Sequence, residues 1–295
     1  MPDDSTCRKW LQPLLVVGCC FACFLSAHDA VSAQEALPPK PPRIALLNPL
    51  SVMSGQRTRV ILRGWLLKDP VAVVADNAEI KITVVSHAAA TVPGKQKAEQ
   101  IGDEQLEMDI EVPTGFAADA VRIRVRTASG ESHPHLMPIH GGTPVVVELE
   151  PNDGFRQPQQ ITSSQLVVGS IHADTNVDVF AVELVQPAKL RIYVEAAALG
   201  SNLDSMLTVW TAAGSIVASS DDQTKGELTE AVASVSENSH LRDSLLLLDL
   251  PAGKYLLTLQ DAFDRGGPAH PYRLHVQQLP DRSDTSERKP SRTPG

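Results

Sequence analysis

The chain has 295 residues, enough for two ordinary domains, and is 42% hydrophobic but only 4% aromatic. Its formal net charge is −9, from 26 Lys+Arg against 35 Asp+Glu. A surface of that sign repels nucleic acid and anionic lipid, so neither is an expected partner.

Residues 1–33 read as a signal peptide. Arg8 and Lys9 form a charged start, Leu11 to Ala27 is nearly all apolar, and Val31-Ser32-Ala33 makes a small-x-small cleavage site before Gln34. The apolar run is too short and too poorly flanked for a permanent span, so no transmembrane segment is expected in the mature chain. Val16-Val17-Gly18-Cys19 fits a lipoprotein site only loosely. Valine is unusual beside that glycine, and the apolar run continues past Cys19, so cleavage after Ala33 is the reading preferred. The protein is expected to be exported from a bacterium to the periplasm, the cell surface or the medium. All four cysteines, Cys7, Cys19, Cys20 and Cys23, lie in the leader. The mature chain would have no disulfide, and a metal site in it must use oxygen or histidine ligands.

Residues 34–42 form a proline-rich linker. Residues 43–140 are expected to form a first β domain. Leu106, Met108, Ile110 and Val112 alternate with polar residues, and Val121, Ile123 and Val125 alternate with Arg122, Arg124 and Arg126. Both patterns have the period of a half-buried strand. Ser129-Gly130 predicts a turn, residues 88–104 a long loop, and Gly141-Gly142-Thr143-Pro144 a domain boundary.

A second domain is expected over 145–278, and it opens on the densest polar run in the chain, Glu148-Leu149-Glu150-Pro151-Asn152-Asp153. About twenty residues on come Asp174 and Asp178, the latter at the start of the alternating strand pattern Phe180, Val182, Leu184. Hard oxygens gathered from two nearby segments suit Ca²⁺, which takes roughly 6–8 of them in a forgiving geometry. The candidate ligands are Glu148, Glu150, Asn152, Asp153, Asp174 and Asp178. Further strands are predicted around Leu190/Ile192/Val194, Leu207/Val209, Tyr255/Leu257/Leu259 and Tyr272/Leu274/Val276, with the apolar run 245–250 as a buried strand. Ala213-Gly214 and Pro251-Ala252-Gly253 predict turns. Short strands with turn signals every 8–12 residues argue for a sandwich or jelly roll. Residues 223–242 are polar, with Leu228, Ala231, Val232 and Val235 at helical spacing, which suits a short helix or a mobile loop. The tail, 279–295, has no apolar periodicity and is expected to be disordered.

At these residues the second domain resembles the bacterial pre-peptidase C-terminal domain. The resemblance runs from Glu148 to Val276 and is carried by Glu150-Pro151-Asn152-Asp153, Gly169-Ser170-Ile171, Asp178-Val179-Phe180, Leu199 to Asp204, Asp221-Asp222, Pro251 to Tyr255, Asp261, Gly266-Gly267 and Tyr272-Arg273-Leu274. That family is a β-sandwich module appended to secreted proteins, often proteases, and it is similar to the collagen-binding modules of bacterial collagenases. There an acidic linker of pattern Glu-x-Glu-x-Asn-Asp supplies calcium ligands, a pattern that Glu148, Glu150, Asn152 and Asp153 match position by position. Asp178 also matches, and Asp174 is the less clean of the two. More weakly, the first domain resembles the immunoglobulin-like TIG fold, through Pro42-Arg43-Ile44, Asn48-Pro49, Gly55, Val60 to Gly64 and Val125 to Gly130. The expected fold is all-β, with two consecutive β-sandwiches, Ig-like and then jelly-roll-type.

Other constellations are poorer. His133, His135 and His140 suit a transition metal but have no nearby carboxylate or cysteine to complete the set. Arg57, Arg59, Arg63, Arg122, Arg124 and Arg126 offer guanidinium forks to an anionic polysaccharide, or simply a solvated strand face. There is no Gly-x-Ser-x-Gly elbow and no His-Glu-x-x-His helix, so no enzyme is expected. Most of the few aromatics fall at core-like positions and only Tyr193 alternates outward, which leaves little platform for a sugar and least of all for collagen. The reading is a non-catalytic exported adhesion or scaffold protein, holding an envelope polymer or another exported protein. The alternative is an accessory module for a separately encoded hydrolase or protease.

Overall fold

The computed structural model describes residues 39–142, 144–222 and 240–280. The expected leader, all but the last three residues of the 223–242 segment and nearly all of the expected tail lie outside the described residues.

The regular secondary structure of the described residues is almost all strand, in two sandwiches. The first is built from β1 (Arg43–Asn48), β2 (Val52–Met53), β3 (Arg57–Trp65), β4 (Ala72–Ala75), β5 (Lys81–Ala89), β6 (Glu104–Glu111), β7 (Ala120–Thr127), β8 (Gly130–Glu131) and β9 (His135–His140). One sheet runs β1-β3-β6-β5, the other β2-β9-β7-β4 with β8 added to β7. The alternation along β6 and β7 places Leu106, Met108 and Ile110 opposite Val121, Ile123 and Val125, and these side chains form a closed core with Leu47, Val60 and Leu62. The loop expected over 88–104 is shorter than predicted. Strand β5 continues to Ala89, and one helical turn, α1 (Ala98–Ile101), buries Ile101.

The second sandwich comprises β10 (Val145–Val147), β11 (Gln159–Ile161), β12 (Ser164–Ser170), β13 (Val177–Leu184), β14 (Ala188–Glu195), β15 (Ser205–Thr211), β16 (Ile216–Ser220), β17 (Leu245–Leu250), β18 (Gly253–Asp261) and β19 (Pro271–Leu279). Its sheets run β10-β12-β19-β14-β17 and β11-β13-β18-β15-β16. Phe180, Val182, Ile192, Val194, Leu257, Leu259, Leu274 and Val276 meet between them. Gly141 and Gly142 lie between the last strand of the first sandwich and the first of the second.

Strand β17 differs from expectation. It lies at a sheet edge, paired only with β14. Leu246 and Leu250 are buried, but Leu247 is 53% exposed. An apolar run reads as buried on both faces, whereas an edge strand has one face and one side left to solvent.

The two sandwiches belong to one compact unit that begins at Pro39. Leu46 and Ile101 pack on Ala269, and Gln96 Nε2 donates to the Gly266 carbonyl at 2.8 Å. Gly200, at φ 87°, sits so close to the first sandwich that a Cβ there would come within 2.2 Å of the Ala45 carbonyl oxygen.

Candidate metal centre

The acidic run is the crossover between the two sheets of the second sandwich. Strand β10 pairs in parallel with β12, and the ladder extends one residue further, Glu148 N donating to Val168 O at 3.0 Å. The chain then leaves that sheet and reaches the other, where Asn152 O accepts from Val179 N at 3.0 Å, before joining it as β11. Residues 148–153 therefore lie across one end of the sandwich, over the end of β12 and the starts of β13 and β19.

Strand period then decides which carboxylates meet. Asp178 shares its parity with Phe180, Val182 and Leu184, so it points into the sandwich, and it is fully buried. Glu148 and Glu150, two residues apart in extended chain, project to the same side. One oxygen from each of Glu148, Glu150 and Asp178 falls within 4.8 Å of the others, the only such acidic or histidine trio among the described residues.

The surrounding groups hold this geometry. Tyr272, completely buried on β19, donates its hydroxyl to Asp178 Oδ2 at 2.6 Å. Ser170 N donates to Glu148 Oε2 at 2.8 Å, and Asn152 N to Glu150 Oε2 at 3.0 Å. His172 Nδ1 pairs with Glu150 Oε1 at 2.5 Å from the exposed side. Gly169 faces Tyr272 across the ladder, and a Cβ there would come within 2.5 Å of both Glu148 Oε2 and the Tyr272 hydroxyl. Any other residue at 169 would push into the carboxylate cluster.

Two oxygens at the centre are left without a partner: Asp178 Oδ1 and Asn152 Oδ1, both buried. Buried oxygens are normally hydrogen-bonded, so an orphaned pair within a cluster of three carboxylates suits a donor or a cation. The electrostatics agree. Burial, followed by the neighbouring Glu148 charge, pushes the Asp178 carboxyl up to about 9. Burial also raises Glu148, with Glu150 adding repulsion, and Tyr272 is pushed well above the ordinary phenol range by burial and the carboxylates beside it. Without a cation, this cluster relieves its repulsion by holding protons.

The other two candidates lie apart. Asp153 is exposed and accepts from Asn176 Nδ2 at 2.7 Å, at the rim of the same loop. Asp174 faces the first sandwich, where it pairs with Lys95 at 3.1 Å and accepts from Gly266 N at 3.1 Å. The Lys95 ammonium holds its carboxyl below the usual range. Sequence reasoning missed Tyr272, Ser170 and Gly169. Gly169-Ser170 and Tyr272 were visible as family-like motifs, but their convergence depends on the register that sets Gly169 opposite Tyr272.

The remaining constellations resolve into structural roles. His135 is half-buried against the second sandwich, His140 bonds Ser51 Oγ at 2.6 Å, and His133 is exposed, so the three do not converge. Arg57 and Arg59 are paired with Asp109, and Arg124 and Arg126 with Glu131. Arg63 is buried and donates to the carbonyls of Thr91, Ile101 and Gly102. Among the aromatics, the outward-facing Tyr193 is covered and two others are exposed. Tyr193 is buried, stacked on His275 with ring centroids 4.2 Å apart. Phe155 and Phe263 are exposed, lying on loops that strand period cannot place.

No protein-family model matches the chain, and no curated protein matches it. Among solved structures it is similar to the pre-peptidase C-terminal domain of a collagenase from Bacillus anthracis. That match is 14% identical over 44% of this chain and 100% of that one, with a TM-score of 0.30. It is also similar to SGBP-B from a xyloglucan utilization locus in Bacteroides uniformis, at 10% identity over 81% of this chain and 73% of that one, TM-score 0.26. A third similar structure is the secreted serine protease VesC from Vibrio cholerae, at 9% identity and TM-score 0.25, where the match covers 48% of that chain, about half its length. The first of these is a member of the family that residues 148–276 resemble. Among the described residues, no helix is long and apolar enough to cross a membrane.

Proposed function

We propose that this is an exported, non-catalytic binding or scaffold protein whose second sandwich is stapled by a calcium ion. Glu148, Glu150 and Asp178 supply carboxylate oxygens, Asn152 adds its amide oxygen, and Asp153 stands at the rim. The carrying observation is the orphaned, buried Asp178 Oδ1 beside two further carboxylates. A divalent cation would take up that oxygen and Asn152 Oδ1 and replace the protons the cluster otherwise needs. Because the acidic crossover touches both sheets, the ion would tie one to the other and stabilise the fold by linkage. An all-oxygen donor set favours Ca²⁺ over zinc or copper, and Mg²⁺ demands a tighter octahedron than this loop-borne set provides. The partner in this reading is an envelope polymer or another exported protein, met by the compact unit of two sandwiches.

Isothermal titration of chelator-stripped protein tests it. One calcium per chain is expected, with much weaker heat for magnesium and no saturable binding in Glu150→Ala or Asp178→Asn. Stoichiometric calcium binding that survives both substitutions would place the ion elsewhere.

A further inference from the structure

A cleft of about 720 Å³ opens where the sandwiches meet. Its size lies in the range of small-ligand sites, roughly 300–1,000 Å³, and domain junctions are where such sites concentrate. One wall is the outer face of the sheet containing β14 and β19. There Tyr193 lies opposite His275 and Glu195 opposite Arg273 across the ladder. Ile192, Val194, Leu274 and Val276, the alternate residues, face the core instead.

An outer sheet face normally carries solvated polar groups. Here Tyr193, Glu195, Arg273 and His275 are all buried. Glu195 Oε2 accepts from Arg273 Nη1 at 2.5 Å and lies 2.8 Å from His275 Nε2. Arg273 Nη2 reaches His140 Nδ1 of the first sandwich at 3.4 Å, while Arg273 Nε is buried with no partner. Burying a charged network of this kind gives weak stability at best, so its place along a cleft wall points to recognition.

The lining also says what would be recognised. Two cations, Arg122 and Arg273, are matched by two anions, Asp119 and Glu195. Burial lowers both His140 and His275, so neither adds a charge near neutral pH. A charge-balanced wall offers no net attraction to an ion. It does offer carboxylate acceptors, guanidinium and amide donors, and an apolar contact at the half-buried Leu136. Hydroxyls that both donate and accept, arranged around C–H faces, match that combination.

We propose that this cleft binds a neutral saccharide segment, its hydroxyls meeting Asp119, Arg122, Arg273 and Gln277. The proposal deepens the binding-protein reading by naming the chemical class of its ligand, and it rests on that reading. It is tested by affinity electrophoresis of the full-length protein in calcium, through gels containing xyloglucan, galactomannan, mixed-linkage glucan, dextran or, as the anionic control, polygalacturonate. At least one neutral polymer should retard it. Ala120→Tyr, which fills the cleft from a half-exposed position, should weaken that binding about tenfold or more, and Asp119→Ala, exposed at the rim, several-fold, with melting temperatures unchanged. Glu150→Ala, at the metal centre, should leave the retardation in place. Retained retardation with lost calcium binding would separate this site from the metal centre and support the proposal. Intact calcium binding with no retardation by any neutral polymer would overturn the proposal alone. Retardation by polygalacturonate only, or undiminished binding by Ala120→Tyr, would overturn it as well.

Discussion

Asp178 is buried on the core face of a strand, where an aliphatic residue would be ordinary, and its behaviour with pH follows from that position. Burial and the Glu148 charge raise its folded carboxyl to about 9, against roughly 3.9 in an unfolded chain. The folded state therefore holds the proton more tightly. The stability this contributes to the metal-free protein is whole below about pH 4, shrinks as the pH climbs, and is gone above about pH 9. Glu148, raised in the same direction, adds to the trend. Calcium must displace those protons, so its effect should grow with pH. In chelator, the wild-type protein should lose melting temperature relative to Asp178→Asn between pH 5 and pH 8, because the amide has no proton to give up. Parallel melting curves for the two proteins across that range would show that Asp178 does not titrate between them. The sequence showed the carboxylates but not their states, since burial and the Tyr272 hydroxyl bond are set by strands far away in the chain.

At the scale of elements, what was legible is what strand period controls. Alternation placed β6, β7, β13, β14, β18 and β19 and chose their buried faces, because one-sided burial imposes a period of two. It failed where the environment is not one core against solvent. Strand β17 is apolar throughout yet lies at an edge, and the outer face of β14 is covered by the first sandwich, which buries Tyr193. Arg63 belongs to this scale too. From β3 it holds the segment carrying α1 by three carbonyls, at 2.6 to 3.0 Å, although its spacing in the sequence resembles that of the paired surface arginines Arg57 and Arg59. Arg63→Met should leave those carbonyls without a donor and cost about 3 kcal/mol, read as a lower denaturant midpoint. Arg57→Ala, whose guanidinium is mostly exposed, should barely move it. An equal, small effect from both would mean that the 91–102 segment is held by its apolar contacts alone.

On the scale of the whole molecule, the fold class was readable and the assembly was not. Turn signals and periods were enough for two all-β domains and for a sandwich in the second; the sandwich expected in the first drew on its family resemblance. Nothing local announced that Gln96 would bond Gly266, that Gly200 would abut Ala45, or that Asp174 would leave the acidic cluster to pair with Lys95. Those contacts bring together residues far apart in sequence, and they make one body of the two sandwiches. They also leave the acidic centre with three carboxylates and two orphaned oxygens, a set whose repulsion a divalent ion would relieve. The most direct test is scanning calorimetry of the chelator-stripped, full-length protein before and after millimolar calcium at pH 8. The account predicts that calcium raises the melting temperature by several degrees, about what saturating a site at a hundred times its dissociation constant should give, and that Asp178→Asn removes the gain. A wild-type melting temperature that calcium leaves unchanged would contradict it.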